Sequence, residues 1–284
     1  MQVPVDGCFR GRNMGSLIDD TSVVAEGNGF SACLSSDWGL WGPNGGYLAS
    51  IAMRAVGASV PTGHRPVSFS CQYLASPLFS RVDLLVTAVR RGRRAWCLAV
   101  EMRQEEKLCL LAQAWTTDCD GGPQKVDVAM PAVPPPALLQ SSKTYVPAEF
   151  RDCGFWQHFD SRQVDRNPVA APAPARLLTW QRFVDLNPAG DPFVEAMRLL
   201  VLLDTMPWPT FCHGLGDVPP YVAPSLDLAV WFHKPASGAE WMLVESSTEI
   251  ATGGLIHGSG LVWNSAGDLI ASGGGQLLVI DRSG

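Results

Sequence analysis

Asp37-Trp-Gly-Leu-Trp-Gly-Pro-Asn-Gly-Gly-Tyr-Leu-Ala-Ser50 and Ser225-Leu-Asp-Leu-Ala-Val-Trp-Phe-His-Lys-Pro235 decide how this chain is read. The first is a glycine-rich turn running into a short apolar helix, and strand-like residues 22–34 precede it. Strand patterns follow at Val67–Leu74, Arg81–Arg90, Arg94–Gln104 and Leu108–Thr117. Val82, Leu84 and Val86 alternate with Asp83, Leu85 and Thr87, which suits a sheet with one face partly buried. Arg90-Arg-Gly-Arg-Arg94 reads as a hairpin tip with Gly92 in the turn.

The second stretch belongs to a repeat of that order. Residues 152–163 and 176–186 read as strands, with a loop at Pro168–Pro174. Asp191-Pro192 starts a helix, since Asp offers a capping oxygen and Pro fits the first turn. Phe193, Met197, Leu200 and Asp204 fall on one helical stripe. Strands follow at Leu226–His233, Glu240–His257 and Gly260–Asp281, the last folded back at Asn264-Ser-Ala-Gly. Between the halves, Asp120-Gly-Gly-Pro and Pro131-Ala-Val-Pro-Pro-Pro136 exclude a central strand or helix and mark residues 119–149 as a linker.

With Val244-Glu-Ser-Ser and Ile270-Ala-Ser-Gly-Gly-Gly-Gln276 added, these stretches resemble the acyl-CoA thioesterase II family, whose members fuse two hotdog domains in one chain. The resemblance implies an α+β protein of two tandem hotdog domains, each an antiparallel sheet wrapped around a central helix. Residues 15–118 and 150–284 would be the two domains. It also implies hydrolysis of acyl-CoA or a related acyl thioester to free acid and thiol, without metal or organic cofactor. Partners would be the thioester substrate and further copies of the chain in a homo-oligomer. The rival is a non-hydrolytic acyl-thioester binder or dehydratase-like hotdog protein in a biosynthetic pathway.

Asp204 draws attention without any family. Five apolar residues, Leu199-Leu-Val-Leu-Leu203, run directly into it. A buried carboxylate is costly unless it is partnered, so it either turns outward at the helix end or holds a functional place. Its helical spacing from Phe193 and Leu200 favours the inward position. The family's Asp pairs with a Thr and a Gln to orient a water, and the matching positions here are Asp204, Ser225 and Gln276. Ser225 keeps the hydroxyl. Three glycines precede Gln276 where the family has two residues; that offset either turns Gln276 to the other face of its strand or is absorbed as a bulge. The chemistry needs these types, because a carboxylate can take a proton from water while a hydroxyl and an amide hold the water in place.

Asn44, Gly45 and Gly46 are the candidate substrate-binding residues. Backbone N–H groups at a helix N-terminus can meet a developing oxyanion, and the same glycines equally suit a tight strand-to-helix connection. Arg90, Arg91, Arg93 and Arg94 are either contacts for coenzyme A phosphates or a solvated hairpin tip. Gly216-Asp217-Val-Pro-Pro is similar to part of the hotdog hydratase motif. Val222 stands where that motif has His, which sets the hydratase reading aside.

Composition bounds the rest. Of the 284 residues, 46% are hydrophobic and 17% charged, enough for a large core. A net charge of −6 argues against nucleic acid as a partner. The eight cysteines are scattered without a Cys-x-x-Cys pair, which points to reduced thiols packed as small hydrophobes rather than a metal site. Arg10 and Arg12 have no apolar run behind them, and no stretch approaches the ~20 apolar residues of a membrane span. A cytoplasmic protein is expected.

Overall fold

Asn44 starts the first long helix, Gly45–Ala58, by accepting a hydrogen bond from Tyr47 N–H at 3.0 Å. Asp191 starts the second, Pro192–Thr205, by accepting from Phe193 N–H at 2.8 Å, and Pro192 fills the first turn as expected. Both helices are buried almost throughout, the condition of helices that are apolar on all sides. They pack antiparallel. Gly46 meets Leu200 and Val201, the Ser50 hydroxyl donates to Met197 O at 3.1 Å, and Gly57 meets Phe193. Arg198 is buried with Glu195 and donates to Ala236 O at 2.9 Å, tying the second helix to the chain beyond its sheet.

This computed structural model describes residues 15–122, 126–142, 154–164, 175–184, 190–215, 219–236 and 238–281. Its strands are β1 Val24–Glu26, β2 Gly29–Cys33, β3 Arg65–Tyr73, β4 Arg81–Arg91, β5 Ala95–Gln104, β6 Lys107–Thr117 and β7 Phe159–Gln163. They continue as β8 Ala175–Phe183, β9 Tyr221–Val222, β10 Asp227–Phe232, β11 Met242–Thr252, β12 Leu255–Asn264, β13 Leu269–Leu278 and β14 Ile280–Asp281. Twelve form one antiparallel sheet in the order β1-β2-β4-β5-β6-β3-β10-β13-β12-β11-β8-β7. The strands before the linker meet those after it at one seam, β3 against β10, with Gln72 opposite Asp227 and Ser68 opposite Trp231. Phe69, Cys71, Leu228 and Val230 at this seam face the helices and join the core.

Several expectations need correction. Residues 240–257 are not one strand: Gly253 and Gly254, with φ of 61° and 78°, turn the chain between β11 and β12. Gly154–His158 is a 3-10 turn, so only the end of the expected strand 152–163 is extended. A helix at Pro207–Leu215 was not foreseen. Cys71, Cys97, Cys109, Cys119 and Cys212 are free thiols, whereas Cys33 is disulfide-bonded. Linker residues Met130, Val133 and Leu139 cover Trp180, Leu243 and Trp263 on the face of the sheet turned away from the helices. The Trp180 indole N–H donates to Pro134 O at 3.0 Å and fastens that cover. The Pro168–Pro174 loop, Gly216-Asp217 and residues 143–149 lie outside the described residues. Among the described residues no helix is long and apolar enough to cross a membrane.

Candidate active site

The end of the second long helix meets the start of the first. Asp204, 7% exposed, turns inward, and its Oδ2 accepts from Gly46 N–H at 2.7 Å and from Asn44 Nδ2 at 3.3 Å. Asn44 Nδ2 also reaches Thr205 Oγ1 at 3.2 Å while its Oδ1 caps the first helix. One asparagine therefore starts a helix with its acceptor and holds the carboxylate with its donors. The partial positive charge of a helix N-terminus adds to that hold.

The other oxygen, Oδ1, is buried and meets no protein hydrogen-bond partner. Burial pushes the Asp204 carboxyl above the ordinary carboxylate range, and Gly46 N–H, Ser225, Tyr73 and Asn44 pull it partly back. Tyr73 ends β3 at the seam, where its N–H donates to Leu226 O at 2.9 Å. Its hydroxyl stands close enough to favour the charged form of Asp204, yet neither it nor Oδ1 has a partner in hydrogen-bonding geometry. Gly45 lets both side chains pack against the backbone of the helix start. A Cβ there would sit 2.8 Å from both Asp204 Oδ1 and Tyr73 Cζ.

Ser225 joins this cluster, and Gln276 does not. Ser225 pairs directly with Leu277, so the two share a face of the sheet, and the neighbouring Gln276 points to the opposite one. The glycine run does not bulge: the β12–β13 register is unbroken from Leu255↔Leu278 to Val262↔Ala271. Gln276 is exposed on the outer face, where its N–H donates to Asp227 Oδ1 at 3.0 Å. Gly275 lies on Ser225's face beside Leu277, and a Cβ there would meet Asp227 O at 2.1 Å. No side chain fits there.

The expected substrate-binding residues lie against Asp204. The Asn44 side chain and the Gly46 N–H are occupied by Asp204, and Gly45 packs against Asp204 and Tyr73 with no room for a Cβ. His233 bonds Ser272 Oγ at 2.8 Å on the outer face, away from Asp204. Arg90, Arg91, Arg93 and Arg94 are exposed at the β4–β5 turn, with Arg91 lying over the Trp96 ring. A recess lined by Arg65, Pro192, Glu195 and Lys234 lies at the other end of the second helix. At 1.5 Å per residue that is ~18 Å from Asp204 along the axis. Sequence reasoning missed Tyr73, and its one available signal was a hydroxyl on the inward-facing parity of β3, two residues beyond Cys71.

An antiparallel sheet packed over two buried helices, with a pinned carboxylate where their ends meet, defines a hotdog-fold protein. Family comparison agrees: models of the acyl-CoA thioesterase N-terminal and C-terminal domains match residues 34–117 and 129–279. The chain belongs to the acyl-CoA thioesterase family, enzymes that hydrolyse thioesters. It is similar in fold to a solved acyl-CoA thioesterase II TesB2 from Mycobacterium marinum, with a TM-score of 0.78 and 22% identity over 94% of this chain and 99% of that one. A tesB protein from Mycobacterium avium subsp. paratuberculosis gives 0.77 and 20% over 93% and 98%. A protein of unknown function with hot dog fold from Alicyclobacillus acidocaldarius gives 0.80 and 20% over 94% and 98%. No curated protein matches the chain.

Proposed function

We propose that the chain hydrolyses acyl-CoA or a related acyl thioester by a water that Asp204 activates, and that residues 15–118 and 150–284 act as tandem hotdog domains sharing this one site. The observation that carries it is the division of labour within the Asp204 carboxylate. Oδ2 is pinned by Gly46 N–H and Asn44, while the buried Oδ1 has no protein partner. A raised pKa makes that oxygen a better proton acceptor than an exposed aspartate. The water gives its proton to Oδ1 as its oxygen attacks the thioester carbon. Collapse of the tetrahedral intermediate breaks the C–S bond, and the proton passes to the departing sulfur. Ser225 steadies the carboxylate, and Gly45 N–H, a helix-start donor without an intrahelical acceptor, is placed for the carbonyl oxygen.

Asp204→Asn keeps the shape and removes the base. Thiol release from short, medium and long acyl-CoAs should fall roughly 10²–10⁴-fold with the fold retained by circular dichroism. Turnover at the wild-type rate by that folded variant rejects the assignment. The outward position of Gln276 is the observation that favours the rival, an acyl-thioester binder with slow turnover. Wild-type acyl-CoA binding without thiol release in the same assay would support it.

A further inference from the structure

Two buried polar atoms at the seam lack partners, and they stand beside each other. Asp204 Oδ1 is one and the Tyr73 hydroxyl is the other. Both side chains border the point where a Gly45 Cβ would be, 2.8 Å from Oδ1 and 2.8 Å from Tyr73 Cζ. A single water beside the pair would give both atoms a partner. A buried hydroxyl and a buried carboxylate oxygen, each left unsatisfied, would cost stability with no return unless something polar sits between them. Glycine at 45 lets both side chains close in on the helix start.

We propose that Tyr73 is a further catalytic residue, its hydroxyl binding the attacking water opposite Asp204 Oδ1. The inference rests on Asp204 as the base. It fills the vacancy left by Gln276, which the regular β13 strand turns outward, and by Gly275, which has no side chain to offer. The Tyr73 O–H donates to the water oxygen, and the water donates one hydrogen to Oδ1. The lone pair of the water is thereby held toward the thioester carbon until attack. Tyr73 loses no proton in the step, because burial first and the Asp204 charge second push its hydroxyl pKa well upward. Balance is that of hydrolysis: water adds across the C–S bond, with hydroxyl on the acyl carbon and hydrogen on sulfur.

Three variants in the full chain test this with acyl-CoA thiol release and thermal melting. Tyr73→Phe removes one oxygen and should lower kcat roughly 10–100-fold with KM little changed, the loss expected when one hydrogen bond that positions the nucleophile is removed. It should melt no lower than wild type, since an unpartnered hydroxyl supports no structure. Gln276→Ala, on the outer face, should turn over like wild type, and Asp204→Asn should be nearly inactive. A wild-type kcat for Tyr73→Phe beside an inactive Asp204→Asn overturns the Tyr73 role and leaves the base in place. Wild-type turnover by Asp204→Asn removes the base itself. A clear fall in the melting temperature of Tyr73→Phe, or a loss in Gln276→Ala as large as in Tyr73→Phe, would also overturn the proposal.

Discussion

Replacing Gly46 by Ala puts one methyl group where the two long helices touch. Its Cβ would lie 2.5 Å from Val201 Cα and 2.8 Å from Leu200 O. Carbon atoms rest at about 3.5–4.0 Å, so the overlap is about 1 Å or more. Both obstructing atoms are backbone and cannot swing aside as a side-chain tip would. The helices must part, and overpacking of this kind costs about 1–3 kcal/mol. For a chain of this size that lowers the melting temperature by roughly 2–4 °C per kcal/mol. The catalytic consequence is larger. The Gly46 N–H bond to Asp204 Oδ2 is 2.7 Å, and an added ångström takes it beyond hydrogen-bonding range. Misplacement of a catalytic group by about 1 Å can cost 10²-fold in rate. Scanning fluorimetry and thiol release on Gly46→Ala measure both, with Gly122→Ala, where nothing lies within 4 Å, as control. Wild-type melting and turnover in Gly46→Ala would refute both the helix contact and the pinning of Asp204.

Two pH effects follow from the raised Asp204 pKa. kcat should lose activity on the acid side with a midpoint above the ordinary Asp value of about 3.9, and a midpoint at or below it would contradict the burial argument. A carboxylate whose folded pKa lies above its unfolded one destabilises the fold once ionised, a penalty present at neutral pH that disappears as pH falls through the folded pKa. Asp204→Asn carries no such penalty. It should melt at or above wild type at pH 7–8, with the gap closing toward pH 4, and melting well below wild type at pH 8 would refute the sign.

Local chemistry made the helices and the inward-facing Asp204 legible in the sequence. Asp191-Pro192 and Asn44-Gly45-Gly46 carry their capping chemistry within a few residues, and Asp204 stands out because an apolar run ends on it. What escaped depends on partners distant in sequence or on backbone details. Pro207 and Pro209 would interrupt a helix interior, yet both sit in the first turn of Pro207–Leu215, where a missing N–H costs little. Gly253-Gly254 lies inside an apparently extended run and declares itself only through its left-handed φ values. The face of Gln276 could not be settled from the chain, because a glycine run permits a bulge and a regular strand alike, and pairing with β10 and β12 selects the strand. Tyr73 was hidden for a related reason. Nothing in its own strand announces that Asp204 and Gly45 will close over it.

The antiparallel helix pair is symmetric in length and opposite in content. Both helices have 14 residues, so Gly46 and Phe193 hold the same position in each, as do Gly57 and Asp204. At one end a small residue faces a carboxylate; at the other, Phe193 lies against Gly57, filling the volume where a second acid would project. Two identical chains related by a twofold axis would have to build both ends alike, each with its own buried charge. Joining unlike halves in one polypeptide frees the ends from each other. One end carries the inward-facing carboxylate, and at the other the Phe193 ring against Gly57 holds the helices in register for it.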